Sequence, residues 1–103
     1  MKKLFISQPM RGKSDEQIKA EREKAIADAQ SMCGEQLEPI DSFFTDHNPS
    51  NPLFSLGRSI LKMGEADIVY FAPGWSEMRG CQCEHYIAAK YGLDYIDGEL
   101  AID

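Results

Sequence analysis

Ala66-Asp67-Ile68-Val69-Tyr70-Phe71-Ala72 is the stretch on which the fold turns. Ile68 to Phe71 are apolar in succession, without the alternation of a strand that has one wet face. A short run of this kind suits a central parallel strand covered on both sides. Immediately beyond it, Pro73-Gly74-Trp75 breaks the run, and from about Glu77 or Met78 to Lys90 the spacing is helical. Tyr91-Gly92 ends that segment, and Leu93 to Ile96 reads as a last short strand. On the near side, Leu53, Leu56, Ile60 and Met63 recur at helical offsets within Leu53 to Glu65, around a single Gly57.

Farther upstream, Leu37 to Asp41 is a weaker strand whose Pro39 places it at a sheet edge, because proline cannot donate to a central ladder. Before it runs a helix of roughly five turns. Ser14 and Gln17 form its capping box, Asp15 and Glu16 sit where the helix dipole favours acids, and Gly34 supplies the stop. Its apolar stripe is Ile18, Ala25, Ile26, Ala29, Met32 and Cys33. Lys3 to Ser7 is a second buried strand, closed by Gln8-Pro9. Strands alternating with helices predict an α/β domain: a small flavodoxin-like doubly wound parallel sheet of about four strands with helices on both faces. The strands starting near Lys3 and Asp67 should be neighbours at its centre. With 103 residues the chain has room for one core, so residues 1–103 form one domain.

Composition narrows the function classes. Hydrophobic residues at 43% and charged residues at 27% are ordinary for a globular domain and exclude a disordered tail. Eleven Lys and Arg against seventeen Asp and Glu give a net charge of −6, which argues against a broad basic face for a nucleic-acid polymer. A nucleoside or mononucleotide needs only a few local groups. No run reaches membrane-spanning length, and Leu4-Phe5-Ile6 is too brief for a signal-peptide core. Three cysteines, an odd number, suit a reducing cytoplasm better than a secreted disulfide scaffold.

In a doubly wound sheet, ligands gather beyond the carboxyl ends of the strands, here the loops Ser7 to Lys13, Ser42 to Asn51 and Ala72 to Arg79. Glu84 falls early in the helix after the central strand and shares a face with Gly80, Ile87 and Ala88. Two readings are open for it: an acid placed near a helix start for dipole reasons, or a carboxylate facing the crevice. The loop Ser7-Gln8-Pro9-Met10-Arg11-Gly12-Lys13-Ser14 precedes a helix and carries two cations, so it could hold a phosphate, with Asp15 opposing and Arg11 favouring it. It is neither a Walker loop nor a dinucleotide fingerprint. Cys81, Cys83, Glu84 and His85 look like metal ligands as a string, but residues two apart on a helix point ~200° apart, so no metal is expected. His47 reads as a solvated loop histidine, and Phe43, Phe44, Phe71 and Trp75 serve either a core or a stacked base. A receiver domain is excluded because Asp67 opens the central strand instead of closing it. A flavodoxin is excluded because Ser7-Gln8-Pro9-Met10 is not a Ser/Thr-rich phosphate loop.

Three features then come together: Leu4-Phe5-Ile6-Ser7-Gln8-Pro9-Met10, Ala66-Asp67-Ile68-Val69, and Gly80-x-x-x-Glu84-His85-x-x-Ala88 leading to Tyr91-Gly92. In these the chain resembles the nucleoside 2-deoxyribosyltransferase-like superfamily, and within it a group of short bacterial and phage proteins. The resemblance spans nearly the whole chain. It implies an N-glycosidic enzyme, by deoxyribosyl transfer or hydrolysis, with Glu84 as the nucleophile and a deoxynucleoside or its monophosphate as substrate. A carboxylate suits an oxocarbenium-like centre because it can both attack and leave.

By the same resemblance, Ser7, Arg11, Gly12 and Ser14 would hold a phosphate. Gln8, Pro9, Met10, Asp41, Phe43, Trp75, Ser76 and Gly80 would complete the substrate site. No cofactor is implied. A homo-oligomer is, since a short domain buries limited apolar surface and the family builds sites between subunits; Leu53, Phe54 and Leu56 are the interface candidates. The chain departs from the transferases at three polar positions, where Phe5 replaces a tyrosine and Ser59 and Met78 replace aspartates. The alternative reading is a catalytically inactive nucleotide-binding module, or a small interaction protein.

Overall fold

In the computed structural model, which describes residues 1–41 and 51–99, the chain forms four strands and three α-helices. These are β1 (Lys2–Ser7), α1 (Asp15–Cys33), β2 (Leu37–Pro39), α2 (Pro52–Met63), β3 (Ile68–Phe71), α3 (Arg79–Lys90) and β4 (Asp94–Asp97). A short 3-10 helix, Trp75–Glu77, precedes α3. The sheet is wholly parallel in the order β2-β1-β3-β4, compatible with a small doubly wound, flavodoxin-like fold. β1 and β3 are the central pair, with Leu4 opposite Ile68 and Ser7 opposite Phe71. From β1 the chain winds outward first to β2 and then, on the other side, to β3 and β4. The switch point where ligands bind in such sheets therefore lies beyond Ser7 and Phe71.

Each central strand feeds two cores, because successive side chains point to opposite faces. Leu4, Ile6, Tyr70 and Ala72 pack with Ala25 and Ala29 of α1 and with Leu37. Phe5, Val69 and Phe71 face the other way, onto Met63 of α2, Ala88 of α3 and Ile40. Burying each of the larger side chains, among them Leu4, Phe5 and Phe71, stabilises the fold by about 1.5–3 kcal/mol. The same alternation points Ser7 toward α3, because Ser7 stands two residues beyond Phe5. This one placement sets up the site.

The helix ends follow their sequence signals. Ser14 accepts from the Gln17 N–H while the Gln17 side chain accepts from the Ser14 N–H, a complete capping box, and Gly34 closes α1 by donating its N–H to the Gln30 carbonyl at 2.9 Å. Asn51 caps α2 by accepting from the Phe54 N–H at 3.1 Å, with Pro52 opening the helix. Gly57 does not interrupt α2.

Three expectations need correcting. Met32 is exposed, and Ile26 and Cys33 are only partly buried. With 19 residues α1 is roughly 28 Å long, whereas the six residues of β1 span roughly 20 Å, so the last turn of the helix is incompletely covered. α3 begins at Arg79, later than its spacing suggests, because Trp75–Glu77 forms its own turn and Met78 is extended. The last strand is displaced by one residue, to Asp94–Asp97. Residues 42–50, with the candidates Phe43, Phe44 and His47, lie outside the described residues.

Candidate active site

Ser7 ends β1 and Glu84 lies just past the first turn of α3, so the switch point brings together two residues 77 apart in sequence. The Ser7 hydroxyl donates to Glu84 Oε1 at 2.6 Å, and both side chains are buried, at 2% and 6% exposure. Burial pushes the Glu84 carboxyl up to about 7, because a low-dielectric setting disfavours the charged form; the Ser7 hydrogen bond works in the opposite direction. Cys81, one turn earlier, is buried as well. Its thiol is pushed up to about 11 by burial, against a lowering contribution from Ser7 and a raising one from the Glu84 charge. Cys81 is therefore a neutral thiol at pH 7, not a nucleophile.

Gly80 is on the Glu84 face of α3, and a Cβ there would meet nothing within 4 Å. It borders a cavity of about 370 Å³ lined by Arg11, Glu77, Met78, Arg79 and Gly80. Two cations, Arg11 from the first loop and Arg79 from the start of α3, thus line this cavity, and Gly80 in its wall lies one helical turn before Glu84. Arg79 was not picked out by sequence reasoning; its position immediately before Gly80, at the start of a helix, was the available signal.

The remaining candidates divide by what holds them. The Gln8 amide is buried and donates to the Ile18 carbonyl at 3.1 Å, tying the first loop to α1. Pro9 is buried against Gly74, whose φ of +93° and tight approach to the proline ring exclude a side chain. Gly12 turns the loop so that the Lys13 N–H donates to the Met10 carbonyl at 3.2 Å. Ser14 is engaged in the α1 cap, and Lys13 pairs with Glu21 at 2.7 Å, which leaves Arg11 as the cation this loop sends to the cavity. Asp41 stands exposed beyond β2, where its charge opposes the lowering of the Arg22 pKa by burial.

Trp75 is placed differently from a free stacking platform. Its indole lies 4.0 Å from the His85 ring at an interplanar angle of 7°, and its Nε1–H donates to Asp97 Oδ1 at 2.8 Å. Phe71 and Tyr95 approach the same imidazole from two further directions, at 4.8 and 4.9 Å. His85 is thus an aromatic-box residue. Cys81 is buried while Cys83 is exposed, as opposite helix faces require, and among the described residues no group of three or more His, Cys, Asp or Glu could hold a metal ion. No helix of the described residues is long and apolar enough to cross a membrane. Compared with known proteins, the chain matches no family model, no curated protein and no solved structure.

Proposed function

We propose that the chain is an N-glycosidic enzyme acting on a deoxynucleoside or deoxynucleoside monophosphate, with Glu84 as its nucleophile. The observation that carries this reading is the Ser7–Glu84 pair: a buried carboxylate held by a hydroxyl at the switch point of a doubly wound sheet. In the reaction a Glu84 oxygen forms a bond to the anomeric carbon. The electrons of the carbon–nitrogen bond leave with the base, which takes a proton from water. Water or a second base then attacks the same carbon and releases the carboxylate. Ser7 steadies the attacking carboxylate and helps keep it ionised. A group pushed up to about 7 is half ionised there, so base release should rise with pH through neutrality.

The phosphorylated form of the substrate is favoured by Arg11 and Arg79 at the cavity, with Glu77 as the opposing charge. Arg79→Ala should raise KM for a monophosphate far more than for the free nucleoside. The deciding experiment is a screen of deoxynucleosides and their monophosphates for base release by chromatography. Glu84→Gln should lower the rate by orders of magnitude while binding persists. Base release at the same rate by both proteins would refute the assignment.

A second reading, a catalytically inactive nucleotide-binding module, is favoured by one observation. Phe5 lies in the core and Met78 lines the cavity, so neither supplies the polar group that the transferases have at that position. Ligand-induced thermal stabilisation without base release would favour it. Self-association and a cytoplasmic setting belong to the same proposal. Leu53 and Phe54 are exposed on α2, Leu56 borders an apolar cavity of about 410 Å³ shared with Tyr86 and Ile87 of α3, and all three cysteines are free thiols.

A further inference from the structure

The segment that leaves β4 folds back over the loop that carries the cavity wall. Gly98 donates its N–H to the Phe71 carbonyl at 2.7 Å, a contact so close that a Cβ there would lie 2.6 Å from that same oxygen. Asp97 Oδ1 accepts from the Trp75 indole N–H at 2.8 Å and from the Glu99 N–H at 3.0 Å. The Glu99 carboxylate meets Ser76, whose N–H donates to Oε1 at 3.2 Å and whose hydroxyl lies 2.7 and 2.8 Å from its two oxygens. The Ser76 carbonyl in turn accepts from the Gln82 amide of α3 at 2.5 Å. An unbroken chain of hydrogen bonds therefore runs from Glu99 through the 3-10 helix into α3. Met78, Arg79 and Gly80, which line the cavity, lie between its two anchor points, Ser76 and Gln82.

We propose that Asp97 and Glu99 are positioning residues, which strap the Trp75–Glu77 turn in place and so fix the cavity wall formed by Met78, Arg79 and Gly80. Both carboxylates accept from groups of this one turn, Asp97 from the Trp75 indole and Glu99 from the Ser76 N–H and hydroxyl. Charged acceptors make the stronger hydrogen bonds, and Glu99 takes the Ser76 N–H, while the Trp75 and Glu77 N–H groups on either side donate to the Ala72 and Gly74 carbonyls. The bearing on turnover rests on the function proposed above; the bearing on the turn does not.

Trp75 is the only tryptophan, so its fluorescence reads the turn directly. In Glu99→Ala the open population of the turn should rise by roughly an order of magnitude. Emission should move to longer wavelength, and acrylamide quenching should increase. Ser76→Ala should produce the same changes from the other side of the contact, and the double variant should add nothing to either single one. Asp97→Ala should also expose the indole, whereas Asp97→Asn, which keeps an acceptor oxygen, should restore the wild-type signal. For base release from a monophosphate, KM should rise in Glu99→Ala with kcat less affected. Emission and quenching unchanged from wild type in Ser76→Ala or in folded Glu99→Ala would overturn the proposal, as would additive effects in the double variant. If Glu99→Ala does not fold, Ser76→Ala decides. If the wild type releases no base, the function proposed above fails while the fluorescence still tests the strap.

Discussion

Replacing Glu84 by Gln should change how stability depends on pH, and the size of the change follows from the burial of this one group. The carboxyl has a pKa near 4.5 in the unfolded chain and about 7 in the fold. Between those values the unfolded state has lost its proton and the native state keeps it, so the native state binds more protons and stability falls as pH rises. The loss begins near pH 4.5 and is complete just above pH 7. At about 1.4 kcal/mol for each pH unit between the two values, it amounts to about 3 kcal/mol at most. For a domain of this size that is a fall in Tm of roughly 4–8 °C per kcal/mol. Gln keeps the acceptor for Ser7 but cannot ionise, so this component disappears.

The assay is urea or thermal unfolding of wild type and Glu84→Gln at several pH values from 4.5 to 8. The amide N–H₂ of Gln is a new buried donor whose cost does not vary with pH, so the informative quantity is the difference in slope, not the offset. Wild type should lose stability relative to Glu84→Gln across the range, by a total of about 3 kcal/mol at most. Two parallel curves would refute the reasoning, for the carboxyl would then titrate as in the unfolded chain.

Ser7→Ala removes the donor that favours the charged form of Glu84, so the pH midpoint of that transition should move above its wild-type value, which the same unfolding series measures. Gly98→Ala forces a methyl group against the Phe71 carbonyl and the Tyr70 hydroxyl, and should cost about 1–3 kcal/mol, visible as a lowered Tm. Met63→Ala, at the contact of α2 with the sheet, should cost about 2–5 kcal/mol on the same measure. Light scattering at high micromolar concentration should give a mass above that of one chain, and Phe54→Glu should reduce it; a monomer mass for wild type would contradict self-association.

The architecture was legible because its signals are local. Ile68 to Phe71 showed a strand buried on both faces, Pro39 marked an edge strand, and Ser14 with Gln17 and Gly34 bounded α1, all as found. Met32 was misread because periodicity gives the face of a helix but not how far the sheet beneath it extends. In the site, the place of Glu84 on the inward face of α3 could be read from helical spacing, whereas its partner could not. Ser7 looked like part of a phosphate loop. Only the parity of β1 relative to Phe5, together with the pairing of β1 with β3, turns its hydroxyl toward α3. Trp75 was offered as a stacking surface, and that its stacking partner is His85 depends on ring orientations that spacing does not encode. Arg79 had only its place before Gly80 at a helix start as a signal, and Asp97 and Glu99 gave none beyond their charge, since their roles come from tertiary contacts.

The central claim is that the Glu84 carboxylate forms a covalent bond to the anomeric carbon of a deoxynucleoside. An electron-withdrawing 2'-fluoro group slows resolution of such an intermediate by destabilising the oxocarbenium-like centre. Wild-type protein incubated with 2'-fluoro analogues of the deoxynucleosides and monophosphates that it cleaves should therefore gain the mass of the fluorinated sugar, located on Glu84 by peptide mass spectrometry. Glu84→Gln should gain nothing. An adduct on Glu77 or Asp41 instead, or steady base release with Glu84 never modified, would contradict the claim.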